Sequence, residues 1–98
     1  MAQLTKTSET QEHTDYLIDY LARAWSNIPD IERNWSMLDA VEKEVFQHEW
    51  VGITEVRLEQ LVDLSRRESL TEEQRSRFEQ VMEVVAQHRP VVDYLFEN

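Results

Sequence analysis

Residues 35–50 read WSMLDAVEKEVFQHEW. The stretch begins and ends in tryptophan, and it sets Asp39, Glu42, Glu44 and Glu49 among Leu38, Val41, Val45 and Phe46. Its apolar residues recur three, four and seven apart, the period of an amphipathic helix. Neither glycine nor proline interrupts it. The spacing therefore predicts one helix from about Asp30 to Val51, stopped by Gly52, the only glycine of the chain.

At about 100° per residue, Trp35, Asp39, Glu42, Phe46, Glu49 and Trp50 share one side of that helix. Ile31, Leu38, Val41, Val45 and His48 repeat beside them like a and d positions of a heptad. An isolated buried carboxylate is costly, so the acids inside this arc require an account. Two seams supply one. The valine seam is expected to face the protein's own core. The mixed seam of Trp35, Asp39, Glu42, Phe46, Glu49 and Trp50 then lies at a border, where glutamate stems run along aromatic rings and their heads reach water. That mixed seam is the candidate partner interface. The alternative is that the acids converge inside a bundle and hold a metal. The Glu9–His13 and Glu44–His48 pairs, each four apart, are its only spacing signal, and such pairs also arise as ordinary helix-surface contacts. No metal ligand and no cofactor-binding residue is assigned.

The flanking sequence has the same period. Tyr16, Leu17, Tyr20, Leu21, Ala24, Trp25 and Ile28 fill half a wheel, and so wide an apolar face is expected to meet more than one neighbour. Aromatics at this spacing point to core or a dimer interface rather than to a ligand pocket. Asn27-Ile28-Pro29-Asp30 breaks the chain. Thr54 is a candidate cap for a third helix over about 54–67, with Leu58, Leu61, Val62 and Leu64 on its apolar face. Thr71 stands three residues before Gln74, the spacing of a capping box. A fourth helix is expected from Glu72 to about His88, ended or kinked by Pro90, with VVDYLF as a short helix after it or a bent continuation of the fourth. The expected fold is all-α: an antiparallel bundle of about four helices plus a C-terminal one. Residues 1–8 are expected to fray, and residues 9–98 to form a single helical domain.

Composition narrows function. The 98 residues carry 20 acids and 10 bases, net −10. The charge is uneven: residues 1–56 hold 11 acids and 4 bases, residues 57–98 hold 9 and 6. Phosphate binding needs positive charge, so direct nucleic-acid binding and anionic membrane surfaces are disfavoured. The charge suits a soluble protein, or one whose partner is basic. No cysteine is present, and no apolar run approaches the roughly 20 residues of a membrane span. A cytoplasmic location is expected. One glycine excludes a glycine-rich phosphate loop, and no serine stands in a Gly-x-Ser-x-Gly elbow.

These features point to a non-enzymatic interaction or regulatory protein acting through protein contacts, with no catalytic residue. A homodimer is expected, because Trp25, Trp35, Trp50, Phe78, Tyr94 and Phe96 exceed what one small core needs. The alternatives are an acidic DNA mimic that inhibits a DNA-binding protein, and a carboxylate-rich metal-binding bundle. Arg57, Arg66, Arg67, Arg75 and Arg77 gather near the hairpin between the last two long helices. They read as a solvated tip, or as a basic end that meets the acidic half of a second copy.

Overall fold

Asp39 decides where the middle of the chain turns. Its backbone is extended (φ −78°, ψ 175°), and its carboxylate accepts from the Glu42 amide at 2.8 Å. The Glu42 carboxylate accepts in return from the Asp39 amide at 3.0 Å. This reciprocal pair is a capping box, and a capping box starts a helix. A computed structural model describes the backbone of residues 2–97 and the side chains of residues 9–97. In it the expected helix over 30–51 is two elements separated by a short 3₁₀ turn, Trp35–Met37. Aspartate in the sequence DAVE served as an N-cap, a signal that the apolar period concealed.

The elements are α1 (Ala2–Ser26), α2 (Ile28–Asn34), α3 (Ala40–Glu49), α4 (Glu55–Arg66) and α5 (Glu72–Phe96). No strand occurs among the described residues. The backbone of residues 2–8, where fraying is expected, is helical and forms the start of α1. The five helices make three rods. The first is α1 with α2, bent at Asn27, whose carbonyl accepts from the amides of both Asp30 and Ile31 at 3.1 Å. Pro29 lies in the first turn of α2, where no amide donor is required. The second rod is α3 and α4, joined without interruption by one wide π turn, Trp50–Thr54. The third is α5.

Three expectations are therefore corrected. Gly52 does not stop a helix; it lies inside the π turn, and the chain stays helical through it. Thr54 does not cap α4; it has helical backbone and no capping hydrogen bond. Pro90 does not end the last helix, which runs from Glu72 to Phe96. An interior proline costs about 3 kcal/mol. Val81 and Val85 before it and Val92 and Leu95 after it are all buried, and their combined burial outweighs that cost. The total is three rods rather than four helices and a tail.

Helix α1 is the hub, packing on α4 and on α5. Its wide apolar face thus serves two neighbours. Leu17, Ile18, Leu21, Trp25 and Ile28 are fully buried against Trp50, Leu58, Leu61, Val81, Val85 and Val92. The Thr71–Gln74 capping box forms as its spacing predicts, with both reciprocal bonds at 3.1 Å. Gln74 also donates to the Gln11 carbonyl (3.2 Å) and to Asp15 (3.0 Å), tying the start of α5 to α1.

Candidate functional site

The tryptophans at the two ends of residues 35–50 do meet one cluster, but through packing rather than through one wheel. Trp35 stands edge-on to Phe46, with ring centroids 5.8 Å apart, and Phe46 stacks on Trp50 at 5.8 Å. Phe96 of α5 closes the group, 6.1 Å from Trp35 and 6.0 Å from Phe46. Trp50 then meets Trp25 edge-on at 4.9 Å, which joins the cluster to the main core. Such ring pairs add about 0.5–1.5 kcal/mol each beyond their burial. The role of Phe96 was not legible beforehand, because contact across some fifty residues leaves no periodic trace.

The candidate set divides on this geometry. Trp50 is 4% exposed and has almost no surface left for a partner. Phe46 and Trp35 are half-buried. Asp39, Glu42 and Glu49 are exposed. The Asp39 and Glu42 carboxylates are turned to the capping box that starts α3, and Glu49 is exposed, so none of the three is buried among the aromatics.

The valine seam does not face the core either. Val41 (67% exposed) and Val45 (50%), expected to face the core, point outward. His48 is exposed beside Glu44, 4.0 Å away. Ile31 and Leu38 are half-buried. The inward side of the second rod is Phe46, Trp50, Thr54, Leu58 and Leu61. The π turn keeps this side in register: a wide turn adds a residue, so Trp50 and Thr54 both face α1. Of the six aromatics that suggested a dimer, Trp25 and Trp50 are buried, Trp35, Phe78 and Phe96 are half-buried, and only Tyr94 is exposed. The apolar surplus exists, but it lies in aliphatic residues: Met37 (79% exposed), Val41, Val45, Val51, Ile53 and Val56.

The basic group disperses in the same way. Arg57 lies over the Tyr16 and Tyr20 rings, at 5.3 and 4.3 Å. Arg77 binds Asp15 and Asp19 of α1. Arg67 pairs with Asp63 at 3.0 Å. Arg89 grips Glu55 through two bonds and covers the Trp25 ring at 4.9 Å. Glu55 holds the Arg89 guanidinium above its ordinary pKa, against the opposing effect of partial burial. Lys43 sits over Trp35, 5.7 Å from the ring centre.

Among the described residues no three His, Asp or Glu side chains converge as a metal site would require. No helix among the described residues is long and apolar enough to cross a membrane. No protein-family model matches the chain, and neither a curated protein nor a solved structure matches it.

Proposed function

We propose that this protein is a non-enzymatic interaction or regulatory protein that acts through protein–protein contacts made by the outer side of the α3–α4 rod. One observation carries the reading: Val41, Val45, Val51, Ile53 and Val56 are all between 42% and 67% exposed along a single rod. Scattered apolar residues on a surface are ordinary, but a continuous apolar patch marks an interaction site. The mixed acid-aromatic seam contributes its exposed members, Asp39, Glu42 and Glu49, as the rim of this surface.

The test is affinity capture from native lysate with the wild-type chain beside a Val41→Asn/Val45→Asn variant. Both residues are at least half exposed, so the variant keeps its circular dichroism spectrum. Proteins retained by the wild type and absent from the variant support the reading. Identical sets for the two chains overturn it.

A further inference from the structure

Gly52 is the one glycine in the chain and sits inside a continuous helical rod. Glycine there costs about 1 kcal/mol relative to alanine. The fold of this chain does not require it. Its φ is not positive, and a Cβ built on it would meet nothing within 4 Å. The position is exposed, and Val51 and Ile53 flank it. A missing side chain on an exposed helix face has one use in packing: it lets a second backbone come close.

The surroundings define what would come close. Val41, Val45, His48, Gly52 and Val56 are spaced four, three, four and four apart. With the wide turn included, that spacing keeps them on one outer side, opposite the buried Trp50, Thr54 and Leu58. Exposed acids border this stripe: Glu42, Glu44, Glu49, Glu59 and Asp63. Most of the neighbouring bases are engaged, the exposed Arg66 at the end of α4 being the exception. Lys43 covers Trp35, Arg57 covers Tyr16 and Tyr20, Arg67 pairs with Asp63, and Arg89 pairs with Glu55. An apolar stripe with an acidic rim complements an apolar stripe with a basic rim. A second copy would bring its own acidic rim, on a chain of net −10, against this one.

We infer that this stripe binds a basic amphipathic helix of another protein, which crosses the rod at Gly52. The inference rests on the protein-contact reading above and adds the chemistry of the partner.

The probe is a fluorescein-labelled helical peptide of leucine, alanine and lysine, with leucines on one face and lysines on both flanks. Two controls accompany it: the same peptide with glutamate for lysine, and a scrambled peptide of the same composition with no apolar stripe. Fluorescence anisotropy against the whole chain gives at least tenfold tighter binding of the lysine peptide than of either control. Val45→Asn and Gly52→Gln each weaken it at least tenfold while the far-ultraviolet spectrum is unchanged. Glu83→Gln, which removes an exposed acid from α5, changes binding less than threefold. Equal binding of the scrambled peptide, or wild-type binding by Gly52→Gln, overturns the inference. So does a wild-type chain that sediments at twice 11.8 kDa and returns to 11.8 kDa in the Gly52→Gln variant, since a second copy would then cover the stripe. That last result leaves the protein-contact reading standing, whereas failure of the capture experiment removes both.

Discussion

The Arg89 guanidinium donates from Nη1 to Glu55 Oε2 at 2.8 Å and from Nη2 to Glu55 Oε1 at 3.0 Å. This fork is the polar clasp between α5 and the start of α4, and it lies over the Trp25 ring of α1, so one side chain touches all three rods. Both partners are partly buried, with side chains 38% and 27% exposed. A bidentate pair of this kind is stronger than a fully exposed ion pair. Arg89→Lys keeps the charge but cannot form the fork, so it is expected to cost about 1 kcal/mol in urea unfolding. Arg89→Ala also uncovers Trp25 and should cost about 2 kcal/mol. A lysine variant as stable as wild type would show that charge alone holds the clasp.

Tyr20 and Thr54 share a hydrogen bond of 3.0 Å between hydroxyls. Thr54 is 3% exposed, so its hydroxyl has no easy access to water. Tyr20→Phe and Thr54→Val each leave a partner unpaired and should each cost about 1–2 kcal/mol. The double variant removes both groups together and should be less destabilised than the sum of the two single variants by about 1 kcal/mol. Strict additivity in a double-mutant cycle would deny the bond an energetic role.

That bond also shows what the sequence could and could not disclose. Residues 16–28 announce a wide apolar helix face, and α1 proves to be the hub, because periodicity is a local signal. Thr71 and Gln74 are equally local, and their capping box forms. Thr54 was open to misreading: threonine before an apolar run resembles a cap, while its actual partner lies 34 residues away. The 35–50 stretch is ambiguous for a related reason. Its apolar period spans a break that only Asp39 and Glu42 encode. At about 100° per residue Val41 and Val45 stand roughly 140° and 100° from Phe46 within α3, so the side that buries Phe46 leaves the valines outside.

Glu68 closes the C-terminal end of α4 with φ 55°, the only positive φ among the described non-glycine residues. The Ser69 amide reaches the Leu64 carbonyl and the Glu68 amide reaches the Ser65 carbonyl, both at 3.0 Å, which is the Schellman pattern. Glycine is favoured at this position because it has no Cβ to strain. Glu68→Gly is therefore expected to stabilise the protein by about 1 kcal/mol, raising Tm by roughly 4–8 °C for a domain of this size. Calorimetry reads the shift directly, and a fall in Tm would mean that the glutamate side chain makes a contribution larger than the backbone strain.

Trp50 and Trp35 should part company under substitution, although the sequence presents them as a matched pair. Trp50 is almost fully buried against Trp25, so Trp50→Ala leaves a cavity and should cost about 3–5 kcal/mol. Trp35 is half-buried at the rim of the cluster, and Trp35→Ala should cost roughly half as much. A gentler change separates volume from polarity. The indole Nε1 of Trp50 is buried without a hydrogen-bond partner, as is that of Trp25. Trp50→Phe removes an unsatisfied donor while keeping a ring to stack on Phe46, so the relief offsets part of the lost volume. Its expected cost is below about 1.5 kcal/mol. A Trp50→Phe variant as unstable as Trp50→Ala would mean that the indole nitrogen is satisfied in solution, and that the centre of the cluster is wetter than its packing indicates.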